Sequence, residues 1–212
     1  MDRFLKILFF ALIVKPIVLI VLGLNLRHRE RLPKFGPAII AANHNSHMDT
    51  LVLMCLYPLS QIHKIRPVAA ADYFLSNRFM SWFSTKVIGI IPLQRKGSAE
   101  RETLFNECSK AMRNGDILII FPEGSRGEPE QLSAIKKGVY HLSLTEVSTP
   151  VIPVVMRGLG RILPKGENML VPYNCDVIIG NELPRYNNAD EFVKGIAQIY
   201  NELFSECVTK VE

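Results

Sequence analysis

The 212-residue chain has little cysteine and little tryptophan, and its cysteines show none of the spacings that bind metal. No CxxC pair occurs, which argues against a zinc site and is typical of buried thiols in a reducing compartment. One tryptophan and no basic run interleaved with aromatic residues argue against a nucleic-acid partner. Repeats, low-complexity segments and a GxSxG nucleophile motif are also missing. The four cysteines are Cys55, Cys108, Cys175 and Cys207.

What the chain does have is apolar residues and positive charge. Hydrophobic residues make up 48% of the sequence, and the length suits one domain with a sizeable core. The formal net charge of +5 at pH 7 favours an anionic partner, either a membrane surface or a phosphorylated substrate.

The first 26 residues form the longest apolar stretch. Residues 4–26 are apolar apart from Lys6, Lys15 and Asn25, and no small-residue cleavage pattern of a signal peptide follows. Three structures fit: a helix broken at Pro16 that lies in the membrane interface, a single span, and a buried core helix. We expect membrane contact on the cytoplasmic face, which is the inner membrane if the source is bacterial. The basic cluster that should face anionic lipid comprises Arg27, Arg29, Arg31 and Lys34.

The rest of the chain alternates short apolar runs with helical patterns. This predicts an α/β domain over residues 33–212, with a mixed, largely parallel sheet flanked by helices, after an N-terminal membrane-associated helical segment over residues 1–32. The predicted strands are 37–42, 67–71, 88–93, 117–121, 151–156 and 175–179. The predicted helices are 50–59, 73–87, 98–114, 133–146 and the segment from 188 onward.

A polar run, NHNSHMD at 43–49, separates a predicted strand from a predicted helix. In one hypothesis Ser46 and Asp49 form a capping box and bind backbone amides at the helix start. In a second, His44, His47 and Asp49 supply three ligands to a catalytic zinc ion. In a third, His44 is a general base oriented by Asp49, because a loop histidine and an aspartate in the first helical turn can converge. The run alone does not decide among these hypotheses.

Two further polar stretches follow predicted strands. GIIPLQR at 89–95 ends in Arg95, and FPEGSRG at 121–127 contains Arg126. Two guanidinium groups near strand ends could hold an anionic group bidentately. The stretch VIPVV at 151–155 is mainly a strand whose proline is typical of an edge or a bulge.

In their order and spacing, these four stretches resemble the motif blocks of the glycerophospholipid acyltransferase family, the lysophosphatidic acid acyltransferases. The resemblance runs from about Pro37 to Val155 and includes the His-x4-Asp pair. Two departures are mild: Ser125 stands where threonine is commoner, and Gly127 where serine is common.

The resemblance implies a role for each matching residue. His44 is expected to be the catalytic base and Asp49 its partner, with Asn43 and Ser46 as structural support. The residues expected around the glycerol phosphate of the acceptor are Arg95, Glu123, Gly124, Ser125, Arg126 and Lys136.

The expected reaction is transfer of a fatty acyl group from acyl-CoA or acyl-carrier protein to the free hydroxyl of lysophosphatidic acid, which yields phosphatidic acid. No candidate protein nucleophile appears, so the nucleophile should come from the substrate, and no metal or organic cofactor is required. The alternatives are a different lysophospholipid acceptor, a membrane-bound metallohydrolase, and a lipid-binding protein without turnover.

Overall fold

The computed structural model describes residues 2–46, 48–71, 77–93, 101–127, 131–146, 149–162 and 173–209. Its strands are β1 Gly23–Arg27, β2 Ala38–Ala42, β3 Ile65–Ala70, β4 Ile91–Leu93, β5 Ile117–Ile120, β6 Val151–Arg157 and β7 Asn174–Ile179. Its α-helices are α1 Asp2–Phe9, α2 Met48–Cys55, α3 Arg78–Trp82, α4 Arg101–Arg113, α5 Gly138–Ser143, α6 Leu159–Ile162 and α7 Ala189–Ser205.

The seven strands form one sheet in the order β1-β7-β6-β2-β5-β3-β4. All neighbouring pairs are parallel except β6 and β7, which run antiparallel. The predicted α/β fold with a mixed, largely parallel sheet is therefore confirmed. Parallel strands need covering on both faces, which explains why their sequences are apolar without alternation.

Helices cover the sheet on both faces, and β2 contributes side chains to each core in alternation. On one face Ala38, Ile40 and Ala42 pack with the N-terminal helix and α2. On the other face Ile39 and Ala41 pack with α4 and α7. Because β2 lies centrally and is buried along its whole length, the residues that follow it start from a fixed position.

The N-terminal helix is apolar on two sides. After α1 it continues through two π-helical segments, Phe10–Val14 and Ile17–Val21. Phe10, Val14 and Val18, spaced four residues apart, are buried against the sheet. The exposed apolar side chains are Phe4, Leu8, Leu12, Ile13, Leu19 and Ile20.

Part of the predicted N-terminal helical segment is a strand. Residues Gly23–Arg27 form β1, which pairs with β7 as an edge strand of the sheet, so the prediction of helix over residues 1–32 is wrong there. The reason is non-local: β7 offers a free edge, and Asn25 hydrogen-bonds the buried Asp176 on it.

The basic cluster that follows is largely committed to the protein itself. Arg27, Arg29 and Arg31 donate hydrogen bonds to the main-chain carbonyls of Glu206, Leu56 and Ile179. These contacts bind the connection after β1 to distant parts of the chain. They do not support the expectation that this cluster faces anionic lipid.

Two helices are shorter than predicted. The helix predicted at 133–146 forms only over Gly138–Ser143, which is α5. It starts late because the amides of Ser133 and Lys136 donate to the Glu123 carboxylate and the Pro122 carbonyl instead of to a helical turn. The expected helix at 50–59 ends at Cys55, ahead of Pro58, which cannot donate a helical hydrogen bond. The predicted helix at 73–87 lies partly outside the described residues, and its described part is α3 and a π-helical segment, Phe83–Ile88.

The amine of Lys6 on α1 is buried. The residue is 4% exposed, and its Nζ donates to the carbonyl oxygen of Ile65 at 2.8 Å. Burial is the main cause that lowers the pKa of Lys6 to about 7, the positive charge of Arg66 lowers it further, and Asp116 opposes the shift. The folded protein therefore disfavours the protonated lysine.

Replacing Lys6 by methionine is expected to stabilise the protein at pH 6 and to have little effect at pH 10. Below pH 7 the folded state bears the full free-energy cost of a buried charge. That cost disappears as the pH rises from the folded-state pKa of about 7 toward the ordinary lysine pKa of 10.5, which applies in the unfolded chain. Allowing for the lost hydrogen bond, the gain at pH 6 is roughly 2–4 kcal/mol. Urea unfolding of Lys6→Met against wild type across this pH range measures it, with exposed Lys194→Met as control. A gain that is independent of pH would contradict the assignment.

Candidate active site

The polar residues that follow β2 and β5 meet at one edge of the sheet. The two strands are parallel neighbours, with Ala41 beside Ile120, so their carboxyl ends stop at the same level. His44 follows one strand and Glu123 the other. In parallel α/β sheets this edge is where ligands bind.

His44 and Asp49 form a hydrogen-bonded pair. His44 Nδ1 lies 2.9 Å from Asp49 Oδ2, and because an ionised carboxylate can only accept, Nδ1 carries the proton. Asp49 is 0% exposed, whereas 18% of the His44 side chain is accessible. Nε2 is thus the ring nitrogen that remains for proton transfer with a substrate.

The hydrogen bonds of the helix start and the His44–Asp49 hydrogen bond share one carboxylate oxygen, so the capping and acid/base hypotheses are compatible. Asp49 Oδ2 also accepts the amides of Asn45 (2.7 Å) and Ser46 (2.8 Å), and Ser46 Oγ accepts the amide of Met48 (3.2 Å). The helix-start hydrogen bonds therefore hold the same carboxylate that orients the histidine. Asp49 Oδ1 is buried and has no hydrogen-bond partner among the described residues.

The loop after β5 fixes the backbone of His44 at both ends. Glu123 Oε1 accepts the His44 amide at 2.8 Å, and the Gly127 amide donates to the His44 carbonyl at 3.1 Å. The ring of Phe121 stacks on the His44 imidazole, with centroids 4.0 Å apart and planes 15° from parallel. Backbone and ring plane are both held before any substrate binds. The one sequence signal for this role of Phe121 is its position two residues before Glu123 in the FPEGSRG stretch.

Glu123 is turned into the protein. It is 2% exposed, and its second oxygen, Oε2, accepts the Ser133 amide at 2.9 Å. Its negative charge adds to burial in raising the pKa of the fully buried Tyr200 on α7 well above its usual range. In this geometry Glu123 positions His44 and the 131–137 segment, whereas the resemblance implied contact with the acceptor.

Asn43 ties β2 to β6. Its side-chain amide donates to the Met156 carbonyl at 2.8 Å, and its side-chain oxygen accepts the Met156 amide at 2.6 Å. Asn43 is buried, so both groups are satisfied without water. These bonds fix the residue that immediately precedes the histidine.

The remaining residues of this loop lie on the open side. Ser125 is exposed, Arg126 is half-buried and Lys136 is exposed. Gly124 has φ +74°, and a Cβ there would lie 2.7 Å from Lys136 Nζ. The positive φ favours glycine in this turn, and Lys136 Nζ, the end of a flexible side chain, lies over it. Arg126 immediately precedes Gly127, whose amide contacts His44, so a cationic side chain starts close to the histidine.

Two predicted site residues, Arg95 and His47, lie outside the described residues, so their predicted roles stay predictions. In the part of the chain that is described, no three His, Cys, Asp or Glu side chains are grouped closely enough to hold a metal ion.

Comparison with known proteins defines the class. The family model named Acyltransferase matches residues 23–157, which is more than half of the chain. The chain belongs to the acyltransferase family, and the resemblance found in the sequence is confirmed.

Individual relatives narrow the comparison. The chain is 27% identical over 158 residues to the chloroplastic 1-acyl-sn-glycerol-3-phosphate acyltransferase LPAT1 of Arabidopsis thaliana, covering 74% of this chain and 42% of that protein. It is 22% identical over 174 residues to the human 1-acyl-sn-glycerol-3-phosphate acyltransferase alpha, covering 82% and 59%. The chain thus spans about half the length of these curated relatives.

The crystal structure of the 1-acyl-sn-glycerophosphate acyltransferase PlsC from Thermotoga maritima has the same fold. The TM-score is 0.74 at 18% identity, covering 98% of this chain and 82% of that one.

Proposed function

We propose that the chain transfers a fatty acyl group from a thioester to the free hydroxyl of 1-acylglycerol-3-phosphate, producing phosphatidic acid. The names of the relatives motivate the substrate. The observation that carries the chemistry is the His44–Asp49 pair at the sheet edge, with backbone and ring held in place. The donor is acyl-CoA or acyl-carrier protein, since both present the same thioester.

The reaction needs one base and no protein nucleophile. Nε2 of His44 accepts the hydroxyl proton while the oxygen attacks the thioester carbonyl. The C–S bond then breaks as the tetrahedral intermediate collapses, and the imidazolium returns the proton to the leaving thiolate. Asp49 stabilises the imidazolium between these steps. Proton and electron pairs balance without a cofactor.

The acceptor phosphate is proposed to bind the cationic side chains beside this pair. Arg126 and Lys136 come from the loop that contacts His44, and Arg95 is the third candidate. Holding the phosphate places the hydroxyl near Nε2, which converts binding energy into orientation.

The protein is further proposed to work at a membrane surface, where the acceptor and product reside. The exposed apolar side chains of the N-terminal helix support this contact. Among the described residues, no helix is both long and apolar enough to cross a bilayer.

The function is tested with detergent-purified protein and labelled acyl donors. Acyl-CoA and acyl-carrier protein are each offered with lysophosphatidic acid, lysophosphatidylglycerol, lysophosphatidylethanolamine and glycerol 3-phosphate. We expect diacylated product from lysophosphatidic acid, and the donor arm identifies the carrier. Transfer only to another lysolipid would replace the proposed acceptor, and no transfer in any combination would refute the activity.

A further inference from the structure

A basic cleft lies between the N-terminal helix and the strands β3 and β4. Its volume is about 350 Å³. It opens near the amino ends of these strands, and β3 runs parallel to β5, so the cleft is at the sheet edge opposite His44. The basic side chains that line it are Arg3, Lys6, His63, Arg66 and Lys86.

The lining has an excess of positive charge. None of the described residues that line the cleft is acidic. Among the described carboxylates, Asp116 pairs with Arg66 at 3.6 Å and with Lys64 at 3.2 Å. Repulsion from Arg66 contributes to the lowered pKa of Lys6, and an anion between the two side chains would offset that repulsion. The cleft is therefore suited to a compact anion such as a phosphate group.

An apolar surface borders the cleft. The ring of Phe9 on α1 meets the ring of Phe83 edge-on, with centroids 5.2 Å apart, so α1 packs beside the π-helical segment Phe83–Ile88 that continues α3. Phe83 in turn stacks on Phe79 of α3, with centroids 6.3 Å apart. Phe4, which follows Arg3, is 68% exposed, and Trp82, whose ring lies 6.2 Å from that of Phe79, is 48% exposed. Aromatic side chains next to basic ones are typical of protein surfaces that enter the membrane interface.

We propose that this cleft binds the phosphate of an anionic phospholipid while the neighbouring aromatic side chains enter the bilayer. The inference rests on the membrane contact in the proposed function, but it names a lipid site separate from the acceptor site.

The orientation of the N-terminal helix connects the two sites. The helix begins beside Ile65, the first residue of β3, and ends just before Gly23. Strand β1 runs antiparallel to β2, so Gly23 is at the sheet edge that carries His44. A lipid held in the cleft would anchor one end of the helix and lay its apolar outer face along the membrane toward the candidate active site.

The test is vesicle flotation with the full chain and two charge-matched double variants. Arg3→Gln/Lys86→Gln removes two positive charges from the cleft. Lys110→Gln/Lys194→Gln removes two from exposed positions on α4 and α7, which cover the other face of the sheet. Vesicles are pure phosphatidylcholine, or phosphatidylcholine with phosphatidic acid or with phosphatidylglycerol at equal surface charge.

We expect the cleft variant to lose about tenfold or more in affinity for both anionic vesicles, and the control variant to change less than about threefold. Equal losses in the two variants would overturn the site and leave only diffuse attraction. Unchanged binding of the cleft variant would overturn it as well. Millimolar inorganic phosphate is added in a further arm, and a loss of binding to pure phosphatidylcholine as large as the loss of binding to the anionic vesicles would also overturn the site. Acyl transfer in detergent micelles is measured in parallel and should be unaffected in both variants. Absent transfer in wild type would refute the function and leave the flotation result interpretable.

Discussion

Replacing His44 by alanine is expected to lower the turnover number for acyl transfer roughly 10²–10⁴-fold, which is the usual contribution of a general base. In the proposed mechanism the ring accepts the hydroxyl proton, and among the described residues His44 has the one side chain that is hydrogen-bonded to Asp49. The backbone contacts of His44 to Glu123 and Gly127 do not involve the ring and should persist. The measurements are kcat with lysophosphatidic acid in micelles and the thermal unfolding temperature.

Asp49→Asn is the matched comparison. An amide oxygen can still accept from the three N–H groups around Oδ2, so the turn can form, but the negative charge that stabilises the imidazolium is lost. We expect kcat to fall at least about tenfold with little change in stability. Wild-type turnover in His44→Ala, at an unchanged unfolding temperature, would eliminate the proposed mechanism.

The second large effect is expected at Glu123. Glu123→Gln keeps the size but provides only one acceptor oxygen for two main-chain amides, so either His44 or Ser133 loses its partner. We expect kcat to fall about 10–100-fold because the histidine is displaced, with the acceptor KM changed less than about threefold. Steady-state kinetics with varied lysophosphatidic acid separates the two parameters.

Arg126→Gln provides the contrast to Glu123→Gln. If Arg126 holds the acceptor phosphate, its replacement should raise the acceptor KM before it lowers kcat. A rise in acceptor KM for Glu123→Gln at unchanged kcat would restore the role that the family resemblance implied and contradict the positioning role. Circular dichroism confirms that both variants are folded.

Some of the fold could be predicted because its signals are local. The apolar run of β2 and the helical spacing of α7 depend on near neighbours in the chain, and both were found within a residue or two. The same is true of His44, Ser46 and Asp49, because a six-residue turn brings them together through its own hydrogen bonds.

The errors and omissions arise from contacts between distant residues. Gly23–Arg27 looked like the end of an apolar helix, and only pairing with Asn174–Ile179 makes it a strand. The hydrogen bond from Arg31 to the carbonyl of Ile179 joins residues 148 positions apart, and no local pattern indicated it. Helical periodicity over 133–146 was outweighed by the need of the Glu123 carboxylate for the Ser133 amide.

By itself, then, the sequence determined the α/β class, the family and the histidine–aspartate pair, because periodicity, caps and ordered motifs are properties of neighbouring residues. Only the tertiary structure decided which way Glu123 points and that Arg3, Lys6 and Arg66 share one cleft. Glu123 and His44 are 79 residues apart, and Lys6 and Ile65 are 59 apart. Such contacts follow from strand order and from the burial of polar groups that must find partners, which no local pattern encodes.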